Sequence, residues 1–238
     1  MGEFQSIWVY LSASPLLHLT LTLAMFVCAS FIYRKAKMNP LCNPVLFSVI
    51  AIVALLTLTD TSYDTYFDGA KFVHFLLGPA TVCLAIPLYR QFHRVRKSAV
   101  AIGASLLCGS ITSAASAVII AIALGADTAT LPSIAPKSVT APVAMGITQQ
   151  IGGLPSLTAV IVILTGILGA AIGPLILDAL KIRDWSARGL AIGTASHGIG
   201  TARALQVNEV AGAFAGLAMG LNALATAIIL PLVWAFFT

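Results

Sequence analysis

Charge is what this sequence has least of. Only 9% of its 238 residues are Asp, Glu, Lys or Arg, against 59% hydrophobic, and a mean hydropathy of +0.98 lies far from that of an ordinary soluble domain. That scarcity excludes a water-soluble globule and leaves an integral membrane protein. At about 20 residues per crossing, the length accommodates about six spans and two shorter membrane-depth segments, with no room for a folded domain outside the bilayer. The formal net charge of +5 does not call for nucleic acid. The basic residues fall in short runs between apolar stretches, where they anchor spans, and no basic stripe with interleaved aromatics exists.

Other absences narrow the function. The four cysteines form no CxxC pair and no His joins them at zinc spacing. Cys28, Cys83 and Cys108 sit inside apolar runs and Cys42 near Pro44, so they read as small hydrophobic fillers. Glu3 is the only charge before Ile7, unlike the positive start of a secretory signal, so the first hydrophobic stretch is expected to remain. There is no paired acid set, no nucleotide-binding glycine fingerprint and no GxSxG turn, which argues against catalysis and against a cofactor. No carboxylate is central in an apolar segment. Glu3, Asp60, Asp64, Asp68 and Asp127 fall on one side, Asp178 and Asp184 near the other, and Glu209 at the edge of the last segment. A proton relay through a mid-membrane acid is thereby disfavoured, and His197 is the one titratable candidate near physiological pH.

What is present is a series of six long apolar segments, roughly Ile7 to Tyr33, Pro44 to Thr59, Phe72 to Tyr89, Ser98 to Leu124, Leu154 to Leu180 and Val210 to Phe237. The second is short. In the first, Ser12, Ser14 and Pro15 predict an interfacial turn before a core span from Leu16. Ten of the thirteen basic residues lie in three connections: Arg34, Lys35 and Lys37; Arg90, Arg94, Arg96 and Lys97; Lys181, Arg183 and Arg188. The connection after the second segment carries Asp60, Asp64 and Asp68 with only Lys71. Because Lys and Arg favour the cytoplasm, both termini are expected to face outward. Two interrupted segments, Leu131 to Gln150 and Gly193 to Leu205, then either re-enter on the side they left or both cross. Re-entry keeps Lys181 to Arg188 inside and is the simpler arrangement. The first would dip from outside and the second from the cytoplasm, as in an inverted-topology repeat with tips meeting near the midplane. No internal sequence similarity proves a repeat.

In the first interrupted segment Pro132, Pro136 and Pro142 free backbone groups from the helical ladder. Ser138, Thr140 and the amides before Pro142 present a helix N-terminus, and Lys137 adds a full positive charge, together an anion pocket suited to a carboxylate. The alternative is that Lys137 snorkels to the interface and the prolines only kink a packed helix. In the second, Gly193, Gly198 and Gly200 permit either a tight turn or close helix packing. Thr194, Ser196, His197 and Thr201 supply donors and acceptors at a break. Arg203 offers a planar fork for a carboxylate or serves as a surface anchor. An isolated intramembrane imidazole such as His197 requires a partner or ligand. Asn222 either lines the pathway or, the reading preferred, bonds between helices. His18, His74 and His93 read as interface anchors, the Asn39, Pro40, Asn43 and Pro44 cluster as a turn, and the acidic stretch as a solvated surface.

These residues carry a resemblance to the LrgB/CidB family of bacterial membrane proteins, also represented in the second half of the plastid glycolate/glycerate translocator. The similar text is Ala135 to Thr140 followed by Pro142, then Ile151-Gly152-Gly153 with Pro155, Gly166-Ile167-Leu168-Gly169, and Ala187 to Ala191 leading into GTASHGIGTARAL. The NP turn, the Ser62 to Phe67 loop and Pro87 to Tyr89 extend it over most of the chain; Ala135 stands where many relatives have Leu. The resemblance implies two functions: an antiholin-like modulator of murein hydrolase export and autolysis working with a small LrgA/CidA-type partner, or transport of small carboxylates such as glycolate, glycerate or pyruvate. The expectation is an all-α integral membrane protein, a single transmembrane domain over 1–238, with scaffold-like spans over about 7–89 and a site-bearing region over about 98–237. It would lie in the bacterial cytoplasmic membrane as a homo-oligomer, a dimer being favoured. Lys137, Ser138, Thr140, Thr194, Ser196, His197, Thr201, Arg203 and Asn222 would bind the anion, with no metal.

Overall fold

The structure, a computed structural model, describes residues 14–36, 39, 42–83 and 85–236. The predicted stretch Ile7 to Ala13, together with Glu3, Lys37, Pro40, Phe237 and the His74 side chain, lies outside the described residues. Every regular element among them is helical, and the chain divides into two compact units, one ending at Cys83 and one beginning at Leu84.

The first unit holds α1 (Pro15–Lys35), α2 (Pro44–Leu58) and α3 (Tyr63–Cys83). Pro15 and Pro44 open their helices where the missing N–H costs nothing. Asn43 caps α2, its side chain accepting from the amides of Val45 at 2.9 Å and Leu46 at 3.3 Å, and Arg34 and Lys35 complement the C-terminal dipole of α1. The unit closes where α1 crosses α3 at Gly69: a Cβ there would lie 2.2 Å from the Pro15 carbonyl oxygen and 2.7 Å from the His18 Cβ. His18, expected at an interface, is instead buried at 1% exposure. It stands edge-on to Tyr66 with ring centroids 5.7 Å apart, and the Tyr66 hydroxyl shares a 2.9 Å hydrogen bond with Thr22.

The third apolar segment differs from expectation in register. Helix α3 begins at Tyr63, nine residues before Phe72, so the predicted loop Ser62 to Phe67 is largely its first turns, with Asp64, Asp68 and Lys71 on the helix. Those charges lower its mean hydropathy. Four helices, α1 and three of the second unit, are long and apolar enough to cross a membrane, and α2 is a shorter apolar helix.

The second unit contains α4 (Ala85–Arg90), α5 (Phe92–Lys97), α6 (Ala99–Ala123), α7 (Thr130–Ile134), α8 (Ala141–Gln150), α9 (Pro155–Ala179), α10 (Trp185–Val207) and α11 (Glu209–Trp234). At 1.5 Å per residue, α6, α9 and α11 each reach about 37 to 39 Å. Ile102 and Leu106 of α6 pack with Phe214 and Ala218 of α11 in one buried cluster, and further along both helices Ser110 bonds Asn222, so the two run parallel.

Both interrupted segments double back. Between α7 and α8 the chain is non-helical over 135–140, and α8 returns so that Thr148 Oγ1 reaches the Pro132 carbonyl at 3.4 Å. The Leu154 amide then donates to Ser133 Oγ at 2.7 Å and Thr158 Oγ1 to the Ser133 carbonyl at 2.9 Å. Start and end of this first hairpin therefore meet beside the N-terminal end of α9, with Gly152 at φ 82° making the turn. In α10 the ladder breaks at a single residue, His197, with φ 40° and ψ −133°. Ile192 and Ala204 share a core cluster although twelve residues of straight helix would separate them by about 18 Å. A Cβ on Gly200 would lie 3.1 Å from the Ile192 carbonyl oxygen. The arms 185–196 and 198–207 thus form a second hairpin. Its base lies at the other end of α9, where Arg188 pairs with Asp178 at 2.7 Å and donates to the Ile182 carbonyl at 2.9 Å.

Glycines set how close the second hairpin sits. Gly189 and Gly193, a GxxxG pair, face Ala211 and Ala215 of α11, and a Cβ on either would come within 2.2 to 2.3 Å of a backbone oxygen. Gly166 and Gly169 of α9 face His197 and Ser196.

Candidate functional site

Because each hairpin starts at an opposite end of α9, their tips converge at mid-length of the long helices. Asn222 of α11 is the meeting point. Its Nδ2 donates to the Ser138 carbonyl at 3.3 Å, in the first tip, and to the Thr194 carbonyl at 3.0 Å, one turn before the second break. Its Oδ1 accepts from Ser110 and, at 3.4 Å, from Thr226. A primary amide has two donors and two acceptor sites, and all four are used here, at 1% exposure.

Lys137 extends this cluster. Half-buried, it donates from Nζ to Ser113 Oγ at 3.1 Å and to Ser138 Oγ at 3.5 Å, and the two hydroxyls bond each other at 2.5 Å. The ion pairs among the described residues are Lys71–Asp68, Arg90–Glu209 and Arg188–Asp178, and Lys137 is in none of them. Thr140 is the N-cap residue of α8 without a side-chain cap bond. The dipole-positive end of that helix therefore opens at the same tip as Lys137.

At the second tip, His197 is 4% exposed and donates from Nε2 to the Val162 carbonyl at 2.9 Å, while Thr201 Oγ1 donates to the His197 carbonyl at 2.8 Å. The imidazole therefore has the partner that its position demanded, a backbone one. Ser196, 1% exposed, directs its hydroxyl at Gly169 and has no hydrogen-bond partner among the described residues. Arg203 is half-buried on the returning arm, six residues and about 9 Å of helix beyond the break, so it stands toward the base of its hairpin and away from the Asn222 cluster.

Thus Lys137, Ser138, Thr194 and Asn222 are gathered into one network, Ser196, His197 and Thr201 line the second break, and Arg203 lies apart. Sequence reasoning missed Ser110 and Ser113 of α6, whose signal was two hydroxyls at helical spacing inside an apolar span. It also missed the buried trio Ser133, Thr148 and Thr158 that ties the first hairpin closed. An apolar cavity of about 810 Å³ between α6, α11 and the base of the first hairpin reaches Ser110 and Thr226. Beyond them, against Ser113, Ser138 and Asn222, the free space falls to about 10 Å³, room for about one water. No group of His, Cys, Asp or Glu residues able to hold a metal occurs among the described residues.

A helical chain with four membrane-length apolar helices and two broken hairpins meeting on a buried polar cluster defines a membrane protein. The chain belongs to the LrgB-like family, whose family model matches residues 22–236. It is 41% identical to the uncharacterized protein YxaC of Bacillus subtilis over 217 residues, covering 91% of this chain and 94% of that one. It is 36% identical to the uncharacterized protein YwbG of the same organism over 218 residues, 92% and 96% of the two chains. With the antiholin-like protein LrgB of Bacillus mycoides it shares 30% identity over 223 residues, 94% and 97% of the two. No solved structure matches.

Proposed function

We propose that this protein is a multi-pass carrier of small carboxylates in the bacterial cytoplasmic membrane, its hairpins re-entering from opposite faces and its termini outside. The observation that carries the reading is Lys137: an ammonium half-buried at a helix break, held only by hydroxyls and outside every ion pair among the described residues. Of its three N–H donors, two are used, and the uncapped N-terminus of α8 adds positive potential beside it. A buried cation of this kind is stabilised by an anion that arrives from outside the chain. Opposed re-entry is supported by the two hairpin bases at opposite ends of α9, the arrangement an inverted repeat produces. The orientation is supported by the basic residues at 90–97 and 181–188.

A second reading is favoured by the relatives' names more directly than the first: antiholin-like activity, which would be exerted with an LrgA/CidA-type membrane partner. Purified protein in liposomes separates the two, a homodimer being the first assembly to look for. A carrier gives saturable uptake of labelled pyruvate or glycolate, reduced roughly ten- to a hundredfold in Lys137→Ala by loss of one charge-assisted contact. Unselective dye leakage, or no acid flux until a partner is added, supports the antiholin-like reading and overturns the carrier.

A further inference from the structure

We propose that Asn222 is the latch between the two hairpin tips, and that admitting a ligand to the polar cluster requires its carboxamide to release one of them. The two carbonyls it binds are products of the breaks. In an unbroken helix the Thr194 carbonyl would accept from the amide of residue 198, but the chain turns at His197; the Ser138 carbonyl lies in the non-helical 135–140 stretch. A buried carbonyl without a donor is costly, and here one side chain serves both, at 3.3 and 3.0 Å. Among uncharged side chains only a primary amide can donate twice while accepting twice. Oδ1, fixed by Ser110 and Thr226, holds the amide plane in register for both tips.

The space around it shows that this is a closed state. The cavity shared by Ser113, Ser138 and Asn222 has room for about one water, too little for any carboxylate, while Ser138 also bonds Lys137 and Ser113. Ligand arriving through the cavity at Ser110 and Thr226 therefore passes to the Ser113–Ser138–Asn222 junction only when the tips part, and the bond that resists parting is the one Asn222 makes across them. Asn222 is on this account a positioning residue and not a ligand contact. This deepens the carrier reading and depends on it only for the consequence in transport, since the latch itself is read without any flux.

The test uses the full chain in liposomes, with Cys28, Cys42, Cys83 and Cys108 replaced and a reporter cysteine at Thr194→Cys, a position 8% exposed. A membrane-impermeant thiol reagent should modify the reporter slowly with Asn222 present and at least about tenfold faster with Asn222→Leu, which removes all four bonds at similar size. Asn222→Ser, which keeps one donor and can hold one carbonyl but not both, should also accelerate it and serves if the leucine variant does not fold. A control cysteine at Ile102, buried in the α6–α11 packing, should be unaffected. Equal reporter rates with and without Asn222, or equal acceleration at the control, would overturn the latch. Accelerated labelling with no acid uptake by the unsubstituted protein would sink the carrier reading and leave the latch standing.

Discussion

The two hairpins of the second unit solve one problem by opposite means. The first breaks its helix covalently. Pro136 falls within the six non-helical residues 135–140 and Pro142 opens the first turn of α8, and the backbone there needs no forbidden conformation. The second has no proline within it and breaks at one residue, His197, forced to a φ of 40° that side-chain-bearing residues avoid. Strain of that kind persists only where the surroundings over-determine it. Here the ring is pinned to Val162, the carbonyl is held by Thr201, and Gly166 leaves the room. The lesson is that the first break is written into its own sequence, whereas the second exists only in its packed setting, although both tips are held by neighbouring helices.

The largest test of that difference is at the packing of the second hairpin. Gly193→Val places a Cβ about where the Ala215 backbone stands and should lower stability by about 3 kcal/mol or more, read as a large drop in thermal midpoint in detergent. A tolerated valine would show that the second hairpin does not depend on its neighbours as described. A smaller and sharper test is His197→Gly against His197→Ala. Alanine is ordinarily the better helix residue, but at positive φ glycine should win by about 1 kcal/mol. The same pair at Val139, in the first tip, should show the reverse order. Glycine failing to win at 197 would mean that the residue is unstrained.

The smallest effect concerns the approach to the first hairpin. The Asp127 carboxylate accepts from the Thr130 amide at 2.7 Å, and bonding to Thr130 holds its pKa below the usual 3.8. A lowered carboxylate pKa stabilises the fold above the ordinary value and loses that contribution as the pH falls through the folded one. Asp127→Asn should therefore unfold slightly earlier than the unsubstituted protein at neutral pH, and the two should converge below about pH 3.8. A gap that persists in acid would assign the effect to something other than the charge.

Much of this was legible in the chain. Long apolar runs gave α2, α6, α9 and α11 nearly to the residue, because an apolar helix announces itself by length and hydropathy alone. Helix α3 was misplaced because its first turns are charged, and His18 was misread because its burial comes from Gly69 of another helix, far away in sequence. At the site, Lys137 and Ser138 were recognisable among prolines, and Asn222 as a polar residue in an apolar span. Their companions Ser110 and Ser113 were not, since a serine in a span is as often a packing residue as a ligand. The glycines of the second segment were open to a turn or to close packing, and Gly193 and Gly200 serve packing on either side of the break.

The sequence by itself determined a charge-poor helical membrane chain, the prolines that interrupt its first hairpin and a lysine set among them, whose depth it left open. Only the tertiary structure decided that the second break falls on His197 and that Asn222 joins both tips. Composition and local propensity act on each residue separately, so they are visible in order along the chain. A strained turn and a fully used amide exist only when segments tens of residues apart supply the space and the carbonyls, and that is a property of packing.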